Sequence, residues 1–291
     1  MQIGVFVPLG PYATPAFISE AARTAERLGF HSIWAPEHVL LFDEYAAHYP
    51  YTENGRMRNA SDAAVPEPFN LLSFIAGATT RIRLGTGICL VPQRNPVYTA
   101  KEVATLDYLS GGRVDFGVGI GWQQEEFAAL GVPWPKRAQR TRAYLEVMRR
   151  LWCDPVSSYE GEYYRLPPSR QYPKPVQQPH PPIHFGGESD AALRRVAEIG
   201  HGWFGYGLNP AQTAERLQVL GGLLEQRGRR LGEIVVSIAP NTRGVDAATI
   251  EAYGRAGVNQ LILAARGRTG DDLLASLAEL ARSVVEPAAA L

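Results

Sequence analysis

Two short apolar strands in this chain end in glycines, and each runs on into a helix. Ile82-Arg83-Leu84 leads into Gly85-Thr86-Gly87-Ile88, and Val114-Asp115-Phe116-Gly117-Val118 leads into Gly119-Ile120-Gly121. Glycine has no Cβ, so its backbone can approach a ligand closely and can adopt positive φ. In α/β proteins, ligands settle at the C-terminal ends of the strands. Two such tips in neighbouring units fit a flat or phosphorylated cofactor laid across them. One G-x-G alone is a weak signal and fits a tight turn better; the pairing shifts the balance toward a ligand site.

The elements that position these tips alternate regularly. Residues 2–7 read as a strand, and 14–28 as a helix with Phe17, Ile18, Ala21, Ala25 and Leu28 at helical spacing. Gly29 ends that helix. Further strands are expected at 32–35, 82–88, 113–118, 183–185, 202–205, 234–238 and 260–263. Helices are expected at 68–79, 97–109, 136–152, 189–199, 210–227, 246–256 and 271–284, with 122–135 as a loop. Eight βα units without a break in composition imply one (β/α)8 TIM barrel over residues 1–291. A doubly wound open sheet is the competing architecture, since it needs no fixed strand count.

Two insertions interrupt the rhythm. Residues 39–67 leave the second strand and so belong over the mouth of the barrel. Residues 155–181 precede the fifth strand; they contain a small hairpin around 159–164 and then a proline-rich run that cannot be helical. Because this second insertion follows a helix, it must fold back to reach the mouth.

The bulk properties exclude several classes of function. Lys plus Arg (29) equals Asp plus Glu (29), and a neutral chain without a basic run suits neither nucleic acid nor a membrane surface. The two cysteines, Cys89 and Cys153, form no C-x-x-C, and the six histidines show no zinc spacing, so no metal site is expected. Met1 runs straight into the first strand, and no apolar run approaches the roughly 20 residues that span a bilayer. The expectation is a soluble, cytoplasmic protein.

Several segments, taken in order, resemble the bacterial luciferase-like superfamily. They are Glu37-His38 after the second strand, TTRIRLGTGI, TLDYLSGGR, FGVGIGW, a helix ending RRLW, and PPIHFGGESDAALRRVAEIGHGW. The similarity is strongest over 79–122 and 181–204 and absent over 39–67. Within the superfamily the chain most resembles the oxidoreductases that use the deazaflavin coenzyme F420; their relatives are monooxygenases that use reduced FMN and oxygen.

The resemblance implies roles position by position. His38 would stand near the deazaflavin ring and handle the proton that accompanies hydride transfer; Glu37 would orient it or hydrogen-bond the ring edge. A surface turn pair is the plain alternative. Thr86, Gly87 and Ile88 match the family's bulge behind the ring, with a cis Gly87–Ile88 peptide and the Ile88 side chain against the ring; Cys89 reads as packing. Gly119, Ile120, Gly121, Gly186 and Gly187 match the loops that hold the phosphate and ribityl chain, near a helix start that attracts anions. Arg137 would reach the phosphate or else be a solvated helix-start arginine; Arg140 and Arg142 read as a solvated face. Asp107 and Arg113 read as a structural ion pair. Trp122 would wall the ring or stack on a flat substrate. Relatives acting on sugar phosphates carry a carboxylate there, which argues against that chemistry. Phe42, Tyr45, His48, Tyr49 and Tyr51 would line a moderately apolar substrate pocket or pack on one another.

The implied activity is hydride transfer between coenzyme F420 and a small, moderately apolar organic substrate. The alternative is an FMN-dependent monooxygenase, and a third reading is a barrel that only carries a flavin. The expected partners are a small-molecule substrate and a second copy of the chain as a homodimer.

Overall fold

The computed structural model describes residues 1–10, 12–57, 62–240 and 244–289. Its strands are, in chain order, β1 (Gln2–Phe6), β2 (Ser32–Ala35), β3 (Arg83–Thr86), β4 (Cys89–Leu90), β5 (Val114–Gly119), β6 (Ser157–Glu160), β7 (Arg165–Ser169), β8 (Ile183–Gly186), β9 (Gly202–Tyr206), β10 (Val235–Ala239) and β11 (Gln260–Leu263). Eight of them, all but β4, β6 and β7, form a closed parallel barrel in the order β3-β2-β1-β11-β10-β9-β8-β5, sealed by pairing of β3 with β5. The architecture is the (β/α)8 barrel expected from the alternation, and the open sheet is excluded by that last pairing.

The helices are α1 (Pro15–Arg27), α2 (Pro68–Ala78), α3 (Pro96–Ser110), α4 (Gln124–Ala129), α5 (Arg137–Cys153), α6 (Asp190–Ile199), α7 (Pro210–Glu225), α8 (Ala247–Ala256), α9 (Gly270–Leu280) and α10 (Glu286–Ala289). Their starts follow from local chemistry. Thr14, Glu67, Asn95, Ser189, Asn209, Asp246 and Thr269 each accept a first-turn amide through the side chain. Proline at the first position of α1, α2, α3 and α7 removes an amide that would have no helical partner.

Three departures from the sequence reading stand out. The third strand stops at Thr86 rather than running to 88, and β4 resumes beside β5; the Gly87–Ile88 peptide between them is cis, as the resemblance implied. The expected loop 122–135 contains the short helix α4. The last helix breaks at Leu280 into a wide turn over Ala281–Val285 and then α10.

The second insertion does not reach the mouth. The β6–β7 hairpin lies along the outside of α5, where Arg150 donates to the Ser158 carbonyl and Lys136 pairs with Glu162 at 2.9 Å. Its proline-rich remainder passes the N-terminal end of the barrel. There Asp107 accepts the amides of Val176 and Gln177, and the Gln177 side chain donates to the Val114 carbonyl. Asp107 is therefore not paired with Arg113, which instead donates to the Ser110, Ile82, Ala76 and Thr79 carbonyls and to the Thr79 hydroxyl. Arg140 is buried, donating to the Pro92 and Pro133 carbonyls, so it is no part of a solvated face. Arg142 pairs with Glu198.

A compact group of side chains fills the upper barrel. Trp34, Phe204, Ala239 and Ile262 are buried together, with Phe6, Ile88 and Tyr206 packed on them. Gly85 is needed here: a Cβ on it would stand 2.3 Å from Trp34 Cδ2 and clash with the indole.

Candidate functional site

The floor of the mouth is Ile88. Its side chain lies in space left by two glycines on neighbouring strand tips, Gly119 and Gly186. A Cβ on Gly119 would stand 2.5 Å from Ile88 Cδ1, and one on Gly186 would also collide with it. The glycines read from sequence as ligand-approach points therefore first serve to seat Ile88. Thr86 lies deeper: it is fully buried, and its hydroxyl donates to the Gly117 carbonyl at 2.7 Å. Cys89 is buried, and burial pushes its thiol well up, which leaves it protonated and inert.

Past the ends of β2 and β5 a carboxylate, an imidazole and an indole come together. His38 Nδ1 faces Glu126 Oε2 at 3.6 Å, with the imidazole 15% exposed and the carboxylate 1%. Glu126 holds more than the ring. Its Oε1 accepts the amides of Val39 at 2.6 Å and Leu40 at 3.2 Å, and its Oε2 accepts Gln93 Nε2 at 3.2 Å. Burial alone would raise the Glu126 pKa, yet the surrounding His38, Gln93 and Leu40 N–H hold it below the usual carboxylate range. Glu126 thus pins the backbone immediately after His38 and presents a negative charge to its ring. Trp122 meets His38 edge-on at a centroid distance of 6.0 Å.

Glu37 does not reach His38. Its carboxylate accepts the Leu90 amide and the Arg94 guanidinium, and Arg94 also binds Glu67 at 2.6 Å and Glu102 at 3.1 Å. Burial pushes the Glu37 pKa up, opposed chiefly by the Arg94 charge. The result is an ion network, buried at Glu37 and opening to solvent at Glu67 and Glu102, that ties β4 through the Leu90 amide. Adjacent residues at a strand end point in different directions, which is why sequence adjacency to His38 misled the reading of Glu37.

A cationic region adjoins the β5 tip. Arg137 donates to the Gly121 carbonyl at 3.4 Å and lies over the Trp134 ring at 3.7 Å. Arg195, on α6, is 6% exposed, and its Nε has no hydrogen-bond partner. Burial and the neighbouring Arg142 and Arg137 charges depress the Arg195 pKa. Gly121 takes φ +79°, and a Cβ there would meet the Phe127 ring at 2.6 Å, so glycine is required for both reasons. Ile120 is half-buried between these residues.

Across the mouth, Gly187 takes φ +106° and its carbonyl accepts Trp203 Nε1 at 2.9 Å. Glu188 next to it accepts the Tyr206 amide at 2.8 Å and the Tyr51 hydroxyl. Burial raises both the Tyr51 and the Glu188 pKa. Tyr51 stacks edge-on with Tyr206 at 4.7 Å and with Tyr49 at 5.4 Å; Tyr49 and Tyr45 meet Trp122 at 5.0 and 5.6 Å. Tyr49 and Tyr51 of the first insertion therefore link Trp122 to Tyr206 in a continuous row, with Tyr45 also against Trp122.

Of the residues singled out in the sequence, His38, Ile88, Gly119, Gly121, Trp122, Arg137, Gly186 and Gly187 surround one mouth, whereas Glu37 and Thr86 face away from it. Glu126, Arg195 and Glu188 were missed. The Glu125-Glu126 pair was the available signal for Glu126, hidden because its segment read as a loop. Among the described residues no cluster of His, Cys, Asp and Glu could hold a metal ion, and no helix is long and apolar enough to cross a membrane.

The C-terminal mouth of this closed barrel thus brings together a half-buried Ile88, an imidazole facing a buried carboxylate, and the buried Arg195 beside the half-buried Arg137. The sequence profile of the luciferase-like monooxygenase family matches residues 1–271, and the chain belongs to that family. An uncharacterized protein of Mycobacterium tuberculosis, Rv0953c, is 38% identical over 191 residues, 65% of this chain and 66% of that protein. The FMNH2-dependent dimethylsulfone monooxygenase of Pseudomonas putida is 32% identical over 63% of this chain and 46% of its own length. Among solved structures, the coenzyme F420-dependent tetrahydromethanopterin reductase of Methanopyrus kandleri superposes with a TM-score of 0.74 at 21% identity, covering 98% of this chain and 99% of that one. The proteins this chain is similar to thus include one named as FMNH2-dependent by sequence and one named as F420-dependent by fold.

Proposed function

We propose that this chain is an oxidoreductase that transfers a hydride between coenzyme F420 and a small organic substrate. The observation that carries the reading is His38, whose Nδ1 faces the buried Glu126 carboxylate at 3.6 Å and whose ring meets Trp122 edge-on. Hydride transfer to or from a carbonyl-type centre needs a proton moved in step, and a partly exposed imidazole backed by a carboxylate is suited to that.

The residues present fit such a coenzyme. Ile88 offers an apolar face to a flat ring, and Arg195, buried with an unpartnered Nε, together with Arg137 offers positive charge to a phosphate. The coenzyme, when bound, supplies the hydride donor or acceptor. The chain's own residues would do the rest: Ile88 would lie against the ring, His38 would hold or release a proton at its ring nitrogens, Glu126 would stabilise the protonated imidazole, and Trp122 would exclude water from one side.

The second reading, an FMN-dependent monooxygenase, is favoured by the identity to the P. putida enzyme. Anaerobic mixing of the protein and reduced F420 with neutral carbonyl compounds, followed by absorbance of the oxidised coenzyme, tests the first reading. Oxygen consumption with reduced FMN tests the second. Coenzyme reoxidation that is lost in His38→Ala supports hydride transfer; substrate-dependent oxygen uptake with FMN alone would replace it.

A further inference from the structure

Gln93 is 8% exposed, and the two ends of its amide fare differently. Its Nε2 donates to Glu126 Oε2 at 3.2 Å, while its Oε1 is buried without a hydrogen-bond partner. The amide cannot turn over to relieve this, because Oε1 would then face the carboxylate, acceptor against acceptor. A buried acceptor without a donor costs free energy that an apolar side chain of the same length would not. The donor end must therefore do something that offsets this cost. The backbone that presents it is held on both sides. Gln93 ends the single turn Val91–Gln93, the Pro92 carbonyl accepts Arg140 Nε at 3.3 Å, and the Arg94 amide donates to the Val91 carbonyl at 3.2 Å. The Arg94 side chain just beyond is bound to Glu37.

What Gln93 does follows from the acceptor positions on Glu126, of which an ionised carboxylate has about four. Oε1 takes the Val39 and Leu40 amides, and Oε2 takes Gln93. The remaining position on Oε2 faces His38 Nδ1 at 3.6 Å, outside hydrogen-bond distance, so His38 does not itself hold Oε2 in place. The terminal torsion of a glutamate is broad, and the two amides fix only one oxygen. Gln93 supplies the second fixed point. We infer that Gln93 is a positioning residue: by holding Glu126 Oε2 toward His38 Nδ1, it keeps the neutral imidazole protonated on Nδ1 and leaves Nε2 as the nitrogen that exchanges a proton with the substrate. The exchange rests on the oxidoreductase reading above; the tautomer does not. A carboxylate facing Nδ1 can only accept, and the partner of one ring nitrogen decides which of the two carries the proton. The 3.6 Å gap is of the kind that tightens once a ligand occupies the site.

The test uses the whole protein without coenzyme, labelled with 15N in its histidine rings. Long-range 1H–15N correlation spectra at mildly alkaline pH read which nitrogen carries the proton in each of the six histidines. The signal missing from His38→Asn is that of His38. In the wild type its Nδ1–H form should outnumber the Nε2–H form at least tenfold. Gln93→Met fills the space but cannot donate, and should cut that ratio at least fivefold while the other histidine signals stay in place. Gln93→Asn, whose amide is one carbon shorter, should do the same and stands in if Gln93→Met does not fold. Glu126→Gln must spend its oxygen on the Val39 and Leu40 amides and turn its NH2 toward Nδ1, so the ratio should invert. A wild-type ring protonated mainly on Nε2, or a ratio that falls less than fivefold in the Gln93 variants, overturns the inference. Titration of the wild type with F420 and FMN runs in parallel. Binding of neither would refute the oxidoreductase reading and leave the tautomer result standing, so the two failures are told apart.

Discussion

Replacing Gly119 by alanine tests how the mouth floor is built. The added Cβ would stand 2.5 Å from Ile88 Cδ1 and 3.1 Å from Cγ1, about an ångström inside ordinary carbon–carbon contact of roughly 3.5–4.0 Å. Overpacking of this kind costs about 1–3 kcal/mol. The lower half of that range is expected, because the clashing atom ends a side chain that is only half-buried and can rotate. Ile88→Ala alone removes the obstacle and leaves a gap; for a half-buried isoleucine the loss should fall near or below the low end of the roughly 2–5 kcal/mol seen in full cores. If Gly119 exists to seat Ile88, the double variant should be less destabilised than the two single losses combined, by about 0.5–1.5 kcal/mol. Urea midpoints of the four proteins, read by circular dichroism, give the cycle directly. Additivity within about 0.5 kcal/mol would refute the steric account and return Gly119 to the role of ligand approach alone.

Four further outcomes are expected. His38→Ala should bind coenzyme within twofold of wild type and lose about 10²–10⁴-fold in turnover, the usual share of general acid–base catalysis; equal loss of binding and turnover would make His38 a packing residue. Glu126→Gln keeps the shape but removes the charge, so it should lower kcat about tenfold or more and destabilise by about 1–2 kcal/mol as charged hydrogen bonds become neutral ones; unchanged kcat would end its positioning role. Arg195→Leu removes a buried cation whose Nε is unpartnered, so thermal stability without ligand should hold or rise while stabilisation by inorganic phosphate disappears; retained phosphate stabilisation would move the anion site elsewhere. Burial and the neighbouring His180 and His184 hold His201 down from 6.5 to about 4, and His180 is lowered by burial too. Both are neutral when folded, so the unfolded chain binds more protons below 6.5, and the urea midpoint should be flat above pH 7 and fall between 6.5 and 4. A profile unchanged in His201→Asn would show that this pair does not set acid stability.

Much of the fold was legible because it rests on local rules. Capping residues and prolines mark most helix starts, and the eight βα units leave little choice but closure. The mouth was legible where backbone geometry dictated residue type, as at Gly121 and Gly187 with their positive φ. What escaped depended on contacts between distant segments. Glu126 reaches back 87 positions to the Val39 amide, and the Glu125-Glu126 pair that marks it in the sequence does not say what it contacts. Glu37 looked like His38's partner because it adjoins it, but its carboxylate turns to Arg94, 57 positions on. Arg195 sits on an ordinary helix and becomes notable only through its burial without a partner for Nε. The path of residues 155–181 went wrong because order along the chain says which helix a segment follows, not which end of the barrel it then passes.

Equilibrium titration of the purified protein with coenzyme F420 and, separately, with FMN bears most directly on the central claim, read by the change in coenzyme fluorescence. The account predicts that F420 binds at least tenfold more tightly than FMN and that Arg195→Leu weakens it by a similar factor. Tighter binding of FMN, or no binding of either, would contradict it.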